Sequence, residues 1–429
     1  MLRLILPLFL FATCATAALA AEPQLPSIPD RVFKVSDHGA VSDDHTDNAK
    51  AIQASIDAAA AAGGGVVEIS EGHFLSGPLH LADSIRLQLD KDAILQMLPI
   101  DRYPGGTKNP ADLISGAKLH DIAIGGPGTI DGQGAAWWPL VKKEESISRP
   151  RMIHLSGCHR VLIENILLQN SPMFHIAIGG KDTTDVTVRG VTIRAPASTD
   201  PQLPSHNTDA CDVSGQHILV RDCDVSVGDD DFTCGGGTSD VLITHCKYGY
   251  GHGVSIGSYT NPEVSNITVE DCTFNNTECG IRIKTDRDRG GNVHHMVYRN
   301  LQMTNVGIPI LIYAAYNAKK PEYRKLNNLT AEMAASYPPA EKGPRTPVYN
   351  DITFSNISAT AAPGSRAGLI WGLPESPVTN LILENVNITA EKPFGIYSAN
   401  GVQLIHCNIV TQDGVNKISS SNAQISVQP

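Results

Sequence analysis

Four short polar signals stand in order between residues 206 and 284. They are Asn207-Thr208-Asp209, Gly228-Asp229-Asp230-Asp231, Gly251-His252-Gly253 and Arg282-Ile283-Lys284. Three aspartates held together oppose one another's ionisation, so one of Asp209, Asp229 and Asp230 is expected to have a raised pKa. Such a carboxyl suits a general acid, while its ionised neighbours hold a water as general base. Cleavage of glycosidic bonds uses this division of labour. An Arg and a Lys on one face suit an anionic group, which the guanidinium can grip with two prongs. Each signal alone is weak, because acidic runs are ordinarily solvated turns and Gly-His-Gly is ordinarily a turn as well. Their order and spacing carry the argument.

Asp209 to Asp230 is 21 residues, Asp230 to His252 is 22, and His252 to Arg282 is 30. These intervals resemble one turn of a parallel β-solenoid, whose coils stack about 4.8 Å apart. Residues one coil apart in sequence then become lateral neighbours, and the four signals share one exterior patch. Strand alternation sends Ile281 and Ile283 inward and Arg282 and Lys284 outward. Asp229 and Asp230 are adjacent and would diverge in a regular strand, so Gly228 is expected to let the backbone leave that geometry.

The elements that would position these groups recur along the chain. Apolar, β-branched strings open at Val66, Ile85, Ile122, Val161, Val186, Ile218, Val241, Ile267, Met296, Ile352, Leu381 and Val402, mostly 21 to 32 residues apart. A doubly wound α/β fold needs a helix after nearly every strand, and those helices are missing. The pattern predicts an all-β chain, a right-handed parallel β-helix forming one domain over residues 21–429. One helix is expected, from Asp47 to Ala62, capped by Thr46 or Asp47, stopped by Gly63-Gly64-Gly65, and covering the open end of the solenoid. A polar, proline-bearing insertion occupies about 319–347.

Residues 1–20 read as a secretory signal: Arg3, an apolar run from Leu4 to Ala12, and Ala18-Leu19-Ala20 as the cleavage site. A secreted or periplasmic protein with no membrane span is expected, and a monomer. The net charge of −11 argues against nucleic acid as a partner. It still permits an acidic polysaccharide to bind a local cationic cluster at Arg282, Lys284, Arg287 and Arg289. Nine cysteines include Cys14 in the signal, and the other eight show no C-x-x-C pair, so no zinc site is expected. Cys223, Cys246, Cys272 and Cys407 take one place in successive strings. Asn165, Asn300, Asn356 and Asn385 take a comparable place, which suggests a shared stacked position at a coil bend. Export permits disulfides, with Cys272–Cys279 as a candidate short loop.

The four signals together resemble glycoside hydrolase family 28, the polygalacturonase family. The likeness extends over nearly the whole mature chain. It includes Gly72-His73-Phe74-Leu75-Ser76-Gly77-Pro78-Leu79, Gly126-Pro127-Gly128-Thr129-Ile130-Asp131-Gly132-Gln133-Gly134 and Asn170-Ser171-Pro172-Met173-Phe174-His175. The resemblance implies hydrolysis of galacturonic-acid polymers such as pectin, with inversion at the anomeric carbon and no cofactor or metal. It implies Asp230 as general acid, Asp209 and Asp229 as the groups that activate water, and His252 as a neighbour that tunes charge. Arg282 and Lys284 would hold the sugar carboxylate, Asn207 would shape the acid's surroundings, and Tyr316 rather than Tyr313 would be the substrate-binding tyrosine. Asp231 stands where the family usually has a cysteine, and is expected to add a charge beside the acid. Tyr250 replaces another. The alternatives are a rhamnogalacturonan or xylogalacturonan hydrolase and, on different chemistry, a calcium-dependent pectate lyase in which the aspartates bind the ion. A noncatalytic carbohydrate-binding solenoid would need no carboxylate cluster.

Overall fold

In Ile85-Arg86-Leu87-Gln88-Leu89 the three apolar side chains are buried and the two polar ones half-buried. Alternation of this kind defines a strand with one face in a core. The computed structural model describes residues 22–141, 147–412, 414 and 417–429, and the expected signal at 1–20 lies outside the described residues. Among the described residues thirty-three strands form one continuous parallel sheet that winds as a β-helix. Equivalent positions stack from coil to coil: Val188, Val220, Ile243, Val269, Tyr298, Phe354 and Leu383 lie in one register-matched row, all buried. No coil can bury this row alone, so stacking supplies the core.

The bend between two of the strand ladders corrects one expectation. Asn165, Asn300, Asn356 and Asn385 have left-handed backbone, as do Asp222, His245, Asp271 and His406. These residues share one position, because the residues before them, such as Glu164, Thr244, Glu270 and Arg299, are strand partners. Asn and Asp tolerate that conformation, and their side chains link along the stack, as Asn356 Nδ2 does to Asn300 Oδ1 at 3.2 Å. Cys223, Cys246, Cys272 and Cys407 come one residue later. The first three are buried beside the apolar core, where they pack as small hydrophobes. All eight described cysteines are free, so the Cys272–Cys279 loop is not formed.

The helix runs Ala49–Ala61, with Ile52, Ser55, Ile56 and Ala59 buried against the first coil. Asn48 rather than Thr46 or Asp47 is its N-cap residue. The Asn48 amide turns to Val41, Thr46 and Leu75, while Asp47 Oδ1 accepts the Ala49 N–H at 3.0 Å. The insertion at 319–347 folds into two short 3-10 turns and a helix at Ala331–Ala335. Tyr323, Leu329 and Ala334 pack with Tyr313, Trp371 and Tyr397 in a second apolar cluster, separate from the main core. Among the described residues no helix is long and apolar enough to cross a membrane.

Candidate active site

The site lies on a single parallel ladder made by Cys211–Val213, Phe232–Cys234, Val254–Ile256 and Cys279–Lys284. Register aligns Asp212, Thr233, Ser255 and Arg282 in one row. The flanking Val254, Ile256, Ile281 and Ile283 are fully buried in the core. Arg282 and Lys284 therefore face away from the core as expected, yet each is only 6% exposed. They form the floor of a cleft of about 420 Å³ that also takes in Asp209, Asp212, Asp229, Asp230, His252, Asn207 and Tyr316.

Local sequence explains how three aspartates reach one cleft. Asn207 adopts left-handed backbone, and its N–H donates to Asp229 Oδ2 at 3.1 Å. Thr208 points the other way, fully buried, and its hydroxyl accepts the Gly228 N–H at 3.0 Å. Asp209 returns to the cleft. A side chain at residue 228 would place its Cβ 2.2 Å from Ser205 O, so glycine serves close approach of the 196–205 loop; its φ is not in the left-handed region. The bend that follows brings Asp229 and Asp230 to the same side. At the next coil, a Cβ on Gly251 would fall 2.2 Å from Asp231 Oδ1, and the Gly253 N–H donates to Asp231 Oδ2 at 2.8 Å. The Gly-His-Gly turn thus closes over Asp231 and presents His252. Beneath Asp209 lies His175, fully buried and pulled down to about pKa 4 by that burial. It is a structural support, its Nδ1 against Thr208 O at 3.2 Å.

The charges are arranged in a way the sequence did not foretell. Asp230 has a cation on each oxygen: Arg282 Nη2 bonds Oδ1, and Lys284 Nζ is 2.9 Å from Oδ2. Ser255 Oγ also donates to Oδ1 at 2.7 Å. Burial alone would raise the Asp230 pKa, but Arg282, Lys284 and His252 outweigh it and hold the carboxyl ionised, below the usual range. The raised member is Asp209. Burial and the charges of Asp229 and Asp230 push it well above the carboxylate range, and its Oδ1 finds no partner among the described residues. Asp229 stays low because His252 Nδ1, 3.0 Å from its Oδ1, overcomes its burial. Asp231 is itself fully enclosed, and burial raises its carboxyl well above the usual range. Tyr316 lines the cleft with Lys284 Nζ 5.3 Å from its ring centre, whereas Tyr313 lies outside it.

Several residues escaped the motif reading. Arg149 donates to Asn207 Oδ1 at 2.9 Å and to His206 O, bracing the turn before Asp209 from 57 residues away. Asp212, pushed up to about 6 by burial and by Asp230, lies three residues after Asp209 in a strand too short to show alternation. Exposed Tyr259, under the Arg289 guanidinium at 4.5 Å, marks one rim. Glu278 sits 3.0 Å from His252 Nε2. No pattern flagged it, because it stands alone before the strand that carries Arg282. Asp229, Asp230 and His252 bring possible ligand atoms within 4.8 Å of one another. Both oxygens of Asp230 and both ring nitrogens of His252 are already engaged by charged partners, which opposes a cation there.

A parallel β-helix bearing a carboxylate cluster over a cationic floor is the framework of a polysaccharide-cleaving enzyme. The chain belongs to the glycosyl hydrolases family 28, whose model matches residues 67–334, and it is a glycoside hydrolase. It is 29% identical over 370 residues to an endo-polygalacturonase of Pectobacterium parmentieri, covering 79% of this chain and 83% of that one. It is likewise 29% identical over 377 residues to an exopolygalacturonase of Zea mays, covering 84% of each. The solved exopolygalacturonase of Thermotoga maritima matches 94% of both chains with a TM-score of 0.71 at 22% identity, a likeness of fold.

Proposed function

We propose that the enzyme is an exported polygalacturonase that hydrolyses galacturonic-acid polymers with inversion and without a metal ion. The observation that carries this reading is the pair Arg282 and Lys284 on the cleft floor, in contact with the carboxylate cluster. A neutral glycan offers those cations nothing, whereas a sugar carboxylate matches them in charge and geometry. Asp230 is the general acid, Asp209 and Asp229 activate the water, and His252 holds Asp229 ionised. Asn207 orients Asp229, and Tyr316 gives the sugar a ring face beside Lys284.

The free site keeps its acid ionised, and substrate binding supplies the remedy. A sugar carboxylate entering beside Arg282 and Lys284 competes with Asp230 for both cations. As Asp230 loses them, burial and neighbouring Asp229 favour its neutral form. The proton that the cluster stores on Asp209 then serves Asp230, and Asp209 is left ionised to act on water. Groups this close titrate as a unit, so one proton relocating within the cluster accounts for both roles.

Product analysis on polygalacturonate in EDTA tests the reaction class. Reducing ends should accumulate at the rate seen without chelator, with no absorbance from unsaturated sugars. Unsaturated products that disappear with chelator would make the enzyme a lyase.

A further inference from the structure

Glu278 lies at the junction between the Gly-His-Gly turn and the strand that carries the cations. Its N–H donates to Gly251 O at 2.8 Å, and its carbonyl accepts the Ile308 N–H at 2.9 Å. Both bonds fix its backbone between two neighbouring coils. Its carboxylate then meets His252 Nε2 at 3.0 Å, while His252 Nδ1 meets Asp229 Oδ1 at the same distance. The His252 N–H also donates to Asp229 O at 2.8 Å, which sets the ring's starting point.

A neutral imidazole carries one N–H and cannot donate at both nitrogens. Carboxylates at both ends therefore select the doubly protonated ring. Four charged side chains face that ring: Asp229 at Nδ1, Asp230 with Oδ1 at 3.9 Å, Glu278 at Nε2, and Arg282 with Nη2 at 3.2 Å from Nδ1. Burial and Arg282 both oppose a charged ring. Asp230 adds an attraction at longer range but bonds neither ring nitrogen, since its two oxygens are taken up by Arg282 and Lys284. Asp229 and Glu278 are left to hold the proton, one at each end.

We propose that Glu278 is a positioning residue of the reaction: by accepting from His252 Nε2 it keeps the imidazole doubly protonated and turned toward Asp229. A ring in this state cannot take the proton of the attacking water, so that task stays with the carboxylates. It also gives Asp229 a permanent counter-charge, which keeps that carboxylate ionised and correctly placed. The His252 side chain is 18% exposed and that of Glu278 63%, which puts Glu278 on the outer side of the pair. Solvent can therefore reach the Glu278 carboxylate, and an exposed ion pair would ordinarily be worth little. Here its weight comes from the partner, a half-enclosed ring that is otherwise opposed by burial and by a guanidinium. The direction agrees with this: His252 is pushed up to about 10 by Asp229 and Glu278 against its burial, and Glu278 is brought down to about 2 by His252.

The catalytic part of this proposal rests on Asp229 as a water-activating base, whereas the state of the ring does not. Nuclear magnetic resonance of the full-length enzyme, with the His252 signals assigned by comparison with His252→Asn, tests the ring without substrate. In Glu278→Gln the titration of His252 should fall by about 1–3 pH units, the effect of losing one adjacent opposite charge. On polygalacturonate the same variant should move the alkaline limb of kcat down by a matching amount while KM holds. Glu278→Asp should restore part of both shifts. An unchanged His252 titration in Glu278→Gln would overturn the proposal, whatever the enzyme's substrate. A shifted titration with an unmoved alkaline limb would refute the catalytic role and leave Glu278 as a structural partner only.

Discussion

Lys284 Nζ and Asp230 Oδ2 are 2.9 Å apart, 54 residues distant in sequence, and both side chains are almost completely buried. One residue is read as substrate-binding and the other as the proton donor, yet in the free site they neutralise each other. If the sugar carboxylate is what separates them, recognition and chemistry are coupled. Methyl esterification of the polymer should then lower kcat as well as raise KM. A simple grip on the carboxylate would raise KM alone. Initial rates on polygalacturonate of graded esterification separate the two.

Lys284→Ala removes a charge-assisted contact that is worth about 1.5–3 kcal/mol where such bonds are measured. On free polygalacturonate kcat/KM should therefore fall roughly 10- to 150-fold. On fully esterified polymer, already weak for the wild type, the variant should lose far less. Equal losses on both substrates would detach Lys284 from carboxylate recognition.

The buried ionisable groups predict how stability depends on pH. His252 titrates near 10 in the folded protein and near its ordinary 6.5 when unfolded, so the folded state binds its proton more tightly. That contribution is complete below pH 6.5 and is lost as pH rises toward 10. Glu278, brought down to about 2, acts on the other side: its contribution is present above pH 4.5 and lost as pH falls toward 2. Asp231 is raised, so keeping it neutral costs stability increasingly as pH rises above its unfolded value of about 4. Asp231→Asn should therefore raise Tm at pH 7 and change it little at pH 4. A Tm gain equal at both pH values would show that the carboxyl is not held neutral.

The core makes a simpler prediction. The rings of Tyr298 and Phe354 stack across two coils with centres 4.9 Å apart and planes 17° from parallel. The buried Tyr298 hydroxyl has no partner among the described residues. Phe354→Ala should cost about 3–5 kcal/mol through lost burial and the cavity left behind. Tyr298→Phe keeps the stack and removes an unsatisfied group, so it should be neutral or stabilising. Denaturant unfolding of both variants checks the pair.

The β-helix was legible because its signal is periodic. Ile218, Val241 and Ile267 announce coil after coil, and Ile281-Arg282-Ile283-Lys284 shows by alternation which faces go in and out. The members of the site were legible as motifs for the same reason. What the sequence did not show is pairing across coils. Nothing local to Asp230 reveals that Arg282 and Lys284 occupy both its oxygens, and so nothing placed the raised pKa on Asp209 instead. The Cys and Asn ladders were merged for a related reason. A one-residue offset at a bend changes which face a side chain takes, and only the register of Glu270 with Arg299 separates the two. Arg149 and Glu278 were missed because each stands alone, outside any strand, against a partner far away in sequence.

The acid and the bases are separated by the leaving group. Asp209, Asp229 and Asp230 lie on two neighbouring coils, joined by the Ala210 N–H to Asp230 O bond at 2.9 Å. An inverting enzyme needs about 6.5–9.5 Å between acid and base, enough to admit a water. Asp230→Asn should cut turnover on a sugar leaving group by about 10²–10⁴-fold, because that oxygen must be protonated as the bond breaks. An activated aryl galacturonide, if the wild type accepts one, needs little protonation, and the same variant should retain much more of its activity there. Asp209→Asn and Asp229→Asn should impair both substrates, since each is proposed to act on the water. Early product should carry the inverted anomeric configuration by NMR, and a retained anomer would mean a covalent intermediate. The free-site electrostatics leave one sharp rival, in which protonated Asp209 is itself the donor. In that case Asp209→Asn, not Asp230→Asn, would spare the aryl substrate while abolishing turnover of the polymer.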